Sequence, residues 1–159
     1  TDFARGRFAS DSWEIKLTDE LVSEDDFPEL LSSLAHELRH AEQAYLRIIH
    51  LLEAGYSEEQ TEWSLYVPTN IVRHAARKPN WVGYEEMAFG RYLAYLRFDD
   101  ALSEKLVAMH EMLKKTAGTD EYTHHQKKFA NENPVERDAY AFQRMMLTTL
   151  RDCLPTSQS

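Results

Sequence analysis

Two histidines four residues apart bracket a glutamate in the run His36-Glu37-Leu38-Arg39-His40. On a helix this spacing puts both imidazoles on one face, one turn apart, where they can chelate a single ion. Glu37 then lies about 100° round the helix from His36 and about 60° from His40. It stands beside the ion without being forced to bind it, which is where a general base acting on a metal-bound water has to be. The chemistry these residue types can perform is therefore hydrolysis by a zinc-activated water, with one zinc ion and Glu37 as base. The plain alternative is a solvated helix face carrying two chance histidines, in a chain that holds seven histidines and 27 acidic residues.

A catalytic zinc takes three protein ligands and keeps one position open. Cys153 is the only cysteine, so neither a Cys-rich zinc site nor an internal disulfide can form. No His-x-x-Gly-x-x-His continuation follows His40. A carboxylate from a later helix is the better third ligand, and Glu136 in Asn133-Pro134-Val135-Glu136-Arg137-Asp138-Ala139-Tyr140 is the choice. A helix start would fix its direction, and Ala139 one turn on would let that helix approach another closely. Glu136 is also three residues after Asn133, where a capping-box glutamate belongs, and spacing alone leaves ligand and cap equally open. Glu132, Glu85, Glu86 and His124 are the other candidates.

Around this core, Asp138 can orient a ligand histidine from behind, or simply place negative charge near a helix N-terminus. His124 and His125 can supply a transition-state donor or be ordinary surface residues. Tyr84, Tyr122 and Tyr140 can each polarise a carbonyl or hold an oxyanion, though most of the eight tyrosines must be packing residues. Arg39 and Arg137 sit beside the metal candidates, for substrate contact or for surface ion pairs.

The elements that must position these side chains are mostly helical. Phe3 to Phe8 and Trp13 to Leu17 read as short strands parted by Ala-Ser-Asp-Ser, with Trp13, Ile15 and Leu17 alternating against Glu14 and Lys16. A long helix follows, capped by Asp25 or Asp26, with Pro28 in its first turn and Gly55 as its stop. Its apolar stripe is Leu31, Leu34, Leu38, Ala41, Tyr45, Ile48, Ile49 and Leu52, roughly opposite the histidines, while Ser33, Gln43, Ala44 and Arg47 share the histidine face. Ser57 and Gln60 form a capping box for a second helix ending near Pro68. Asn70 to Arg77 reads as a third helix, Tyr84 to about Lys115 as helix divided near Asp99-Asp100, and Thr119 to Asn133 as irregular. Asn133-Pro134 opens a last helix, Val135 to about Leu150. The tail after Pro155 reads as frayed.

With 159 residues, 43% of them hydrophobic and 28% charged, the chain suits one globular domain. It begins at Thr1 rather than Met, as a processed product or a domain cut from a longer protein would. The net charge of −9 argues against nucleic-acid binding and against docking on anionic membranes. No apolar run is long enough to insert into a bilayer.

Ala4-Arg5-Gly6-Arg7-Phe8, Trp13-Glu14-Ile15-Lys16-Leu17, His36-Glu37-Leu38-Arg39-His40-Ala41-Glu42-Gln43 and Pro134-Val135-Glu136-Arg137-Asp138-Ala139 together resemble the zincin-type metallopeptidase domains of bacterial polymorphic toxins and secreted effectors. The resemblance touches both ends of the chain, and only the His-Glu-x-x-His core is highly specific. It implies an α+β, mostly helical, minimal zincin-like fold, with a small N-terminal sheet against the active helix. It also implies Glu136 as third zinc ligand, a protein or peptide substrate, delivery by a bacterial secretion system, and an immunity or delivery partner. Tyr140 stands where the better-known gluzincins often carry Asp, and the gap from His40 to Glu136 is long. Two rival readings are a non-catalytic helical binding domain, in which the histidines clip the fold together or coincide by chance, and a degenerate zincin that only recognises a partner.

Overall fold

The computed structural model describes residues 5–23, 25–77 and 100–153. Within them the protein is mostly α-helical with one small antiparallel sheet. Strands β1 (Gly6–Ala9) and β2 (Glu14–Leu17) pair with Arg7 opposite Lys16 and Phe8 opposite Ile15. Arg7 and Lys16 are exposed while Phe8 and Ile15 are half-buried, the period-2 pattern of a sheet with one covered face. Trp13 was expected to start the second strand. It lies instead in the turn at φ 56°, with its indole edge-on to Phe8 at 5.1 Å. A short helix that sequence patterning did not anticipate, α1 (Asp19–Ser23), buries Leu21.

Helix α2 (Phe27–Glu53) has the expected ends. Asp26 caps it by accepting from the Glu29 N–H at 3.1 Å. At the other end Gly55 takes φ +89°, and the N–H groups of Gly55 and Tyr56 donate to Leu52 O and Leu51 O. This closes the helix with the paired bonds of a Schellman turn, which needs the left-handed residue. The Ser57–Gln60 capping box forms in both directions and opens α3 (Glu58–Leu65). Helix α4 (Thr69–Ala76) follows Pro68. Ile48, Val67, Val72 and Ala75 form a buried cluster, joined by Trp13, Tyr45, Ile49, Leu52, Leu65 and Ile71. The C-terminal half of α2 is thus held by α3, α4 and the hairpin.

The remaining helices are α5 (Asp100–Thr116), α6 (Asp120–Glu132) and α7 (Pro134–Cys153). The expectation of an irregular segment from Thr119 to Asn133 is overturned by α6. Its half-buried residues among those described are Tyr122, His125, Gln126, Phe129 and Glu132, a helical spacing hidden because three of the five are polar. Asn133 caps α7, accepting from Val135 N–H at 3.0 Å. Helix α7 packs along α2, with Ala139 fully buried between them. The expected strand residues Phe3 and Ala4, the helical stretch from Tyr84 to Asp99 and the tail after Pro155 lie outside the described residues. No helix among the described residues is long and apolar enough to cross a membrane.

Candidate metal centre

The histidine face of α2 is not solvated. His36, Glu37, Ser33 and Gln43 are all buried, whereas Leu38 of the expected apolar stripe is 52% exposed. Burial of so many polar groups is tolerable only where partners satisfy them. Strand β1 brings one to Glu37 and helix α7 brings them to Gln43 and to His36 Nε2, while Ser33 Oγ and His36 Nδ1 are buried without a hydrogen-bond partner among the described residues.

His36 and His40 present their Nε2 atoms to one another at 3.1 Å. The Glu136 carboxylate straddles the pair, with Oε2 3.6 Å from His36 Nε2 and Oε1 3.6 Å from His40 Nε2. Of the two readings of Glu136, the carboxylate therefore faces the histidines, and the capping role belongs to Asn133 alone. Ligand atoms of a tetrahedral zinc-sized ion lie about 3.3 Å from one another, given bonds of about 2.0–2.1 Å. The observed separations match that edge length, and these three residues can together hold one metal ion. Glu136 keeps 26% of its side chain exposed and His40 17%, so the group is not sealed.

The electrostatics follow from this crowding. Burial by itself raises the Glu136 carboxyl, but the two imidazoles facing it outweigh burial and bring it down to about 2. Burial lowers His40, and its Glu136 and Gln43 partners more than reverse the effect, leaving it raised. Glu37 moves the other way from Glu136. Burial first, and the charge of Glu136 with it, leave its carboxyl raised although His36, His40 and the Phe8 N–H pull it down.

Glu37 is anchored by the hairpin. Its Oε2 accepts the Phe8 N–H at 2.7 Å. Gly6 makes that approach possible, because a Cβ there would lie 2.9 Å from Leu17 Cδ2 and 3.1 Å from Glu37 Cγ. Neither the role of Gly6 nor that of the Phe8 amide was visible in sequence, since nothing local announces a contact 29 residues away.

Tyr140 rests its ring against His36, with centroids 4.5 Å apart. Burial raises its phenol, and Glu136, Glu37 and Tyr122 raise it further. Tyr140 is thus placed at the site, and Tyr122 lies close enough to be felt there. Asp138 is joined to Arg39 and to Gln43. It receives Arg39 in two-pronged fashion, from Nε at 2.6 Å and Nη2 at 3.2 Å, and accepts Gln43 Nε2 at 3.1 Å. Arg39 also donates to Glu42 at 2.6 Å and lies over the Phe142 ring. Its hydrogen bonds to Asp138 hold the guanidinium protonated despite burial. Arg39 is accordingly a mostly buried ion-pair partner rather than a surface one.

His40 meets Gln43, whose Oε1 is 2.9 Å from His40 Nδ1. Sequence reading put Gln43 on the histidine face and gave it no role. Glu132 pairs with Lys105, His124 and Arg137 are exposed, and none of them joins the cluster. Tyr84, Glu85 and Glu86 lie outside the described residues. Comparison with protein-family models, with curated proteins and with solved structures found no match.

Proposed function

We propose that this protein is a zinc-dependent metallopeptidase. The observation that carries the proposal is a buried carboxylate, Glu37, set beside two imidazole nitrogens and a second carboxylate whose spacing suits one ion. His36, His40 and Glu136 would hold that ion, and zinc there supplies Lewis acidity towards water and towards a peptide carbonyl. The proton transfers fall to the chain. Glu37, raised by burial, takes the proton of the attacking water and returns it to the leaving amine. The Phe8 N–H occupies Oε2 and leaves Oε1 to carry that proton. Tyr140, against His36, donates to the oxyanion that develops on the substrate.

The resemblance to bacterial toxin and effector metallopeptidases supports a protein or peptide substrate. It also supports delivery by a secretion system and an immunity or delivery partner. Purified protein should contain stoichiometric zinc and cut members of a proteome-derived peptide library. Glu37→Gln should keep the zinc and lower cleavage by about 10²–10⁴-fold. Cleavage undiminished in that variant would remove Glu37 as base, and a metal-free, fully active protein would remove the site.

A second reading has one observation in its favour. The two histidines lie on α2 and Glu136 on α7, so a single ion would tie two helices together as a structural clip. Chelation separates the two, because a clip unfolds when stripped whereas a catalytic site loses turnover and keeps its fold.

A further inference from the structure

Gln43 Nε2 donates to two groups on α7, the Val135 carbonyl at 3.1 Å and Asp138 Oδ2 at 3.1 Å. A backbone carbonyl only accepts. Asp138, gripped through both oxygens by Arg39, is ionised and also only accepts. Turning the Gln43 amide over would set its oxygen against both acceptors. The amide therefore has one orientation, with Oε1 towards His40 Nδ1 at 2.9 Å. An amide oxygen cannot donate, so the hydrogen of that bond sits on His40 Nδ1. In the neutral ring Nε2 is then left with its lone pair, and this is the nitrogen facing His36 and Glu136.

We propose that Gln43 is a positioning residue that holds His40 as the Nδ1–H tautomer and so sets the metal affinity of the site, with Arg39 and Asp138 holding Gln43 in turn. The metal half of this rests on the His36–His40–Glu136 centre proposed above, while the tautomer half stands without it. The arrangement has a second effect. The carbonyl that Gln43 grips belongs to Val135, the residue before Glu136, so one amide sets the His40 ring and the position of the third donor together. Partners behind a ligand histidine commonly change metal affinity by about 10–100-fold.

The test uses two readouts on the full chain. In metal-free protein at alkaline pH, where the ring is neutral, the ¹⁵N shifts of His40 should report Nδ1–H, and a dominant Nε2–H form overturns the proposal. Zinc affinity is then measured by competition with a chromophoric chelator. Gln43→Met, close in size but without the amide, should weaken zinc about 10–100-fold and release the tautomer preference. Asp138→Asn is the second variant, should Gln43→Met fold poorly. Its amide relieves one of the two constraints on Gln43 while the Val135 carbonyl keeps the other, so the Nδ1–H preference of His40 should weaken and zinc affinity should fall with it, and an unchanged preference and affinity overturn the proposal. Unchanged zinc affinity in a folded Gln43→Met protein also overturns the proposal. Should the wild-type protein bind no zinc at all, the metal centre itself fails, and the ¹⁵N shifts alone decide what Gln43 does.

Discussion

At the residue scale, the site is a set of groups that tolerate one another only where a proton or a cation stands between them. Two ring nitrogens 3.1 Å apart and a carboxylate 3.6 Å from each would repel if all were unprotonated and no cation were present. That gives His36→Ala and Glu136→Gln distinguishable outcomes. His36→Ala removes a nitrogen donor and should abolish stoichiometric zinc, as read by metal analysis after gel filtration. Glu136→Gln keeps the shape and withdraws the negative charge, so zinc should bind measurably more weakly rather than vanish. Equal retention of zinc by both would mean that the ion is held elsewhere. Arg39 illustrates a different economy. Its charge is mostly buried but matched by Asp138 and Glu42, and removing one partner of such a pair is far more damaging than the pair itself is stabilising.

At the element scale, the hairpin and α7 each deliver one thing to α2. The hairpin delivers an amide to Glu37, through a glycine that lets the strand come close. Gly6→Ala should push β1 from α2 and destabilise the protein by about 1–3 kcal/mol, the usual range for overpacking, seen as a lower midpoint in chemical denaturation. If Glu37 is the base, turnover should fall more than zinc content does. A variant as stable as wild type would show that the Leu17 and Glu37 side chains yield to a methyl group there without cost. Helix caps act more locally. Ser57→Ala removes a bond to the Gln60 N–H and should cost about 1 kcal/mol without touching metal binding.

At the scale of the whole molecule, the buried apolar cluster and the metal group occupy different stretches of the same helix. Ile48 packs with Val67, Val72 and Ala75, about two turns beyond His40. Stability that comes from this cluster does not depend on the ion. Chelation should therefore leave the helical circular dichroism largely intact while removing turnover, and collapse on chelation would favour the structural clip. Ile48→Ala should do the converse, lowering stability by about 2–5 kcal/mol while the folded fraction still binds zinc.

Caps, breakers and periodicity are local, and they were readable along the chain. Asp26, Gly55, Ser57 with Gln60, and Asn133 each mark an end of a helix, because the groups they satisfy lie within four residues of them. The His36–His40 spacing is local for the same reason. Helix α6 escaped because its inward side carries His125 and Gln126 between Tyr122 and Phe129, and a period so interrupted by polar residues leaves little hydrophobic trace. Whether Glu136 capped its helix or faced the histidines was undecidable along the chain, since both roles need the same residue at the same position. Only the packing of α7 on α2, closed over Ala139, chose between them. The same packing gave Gln43 its role, because an amide acquires a direction only when acceptors 92 and 95 residues away in sequence are set in front of it.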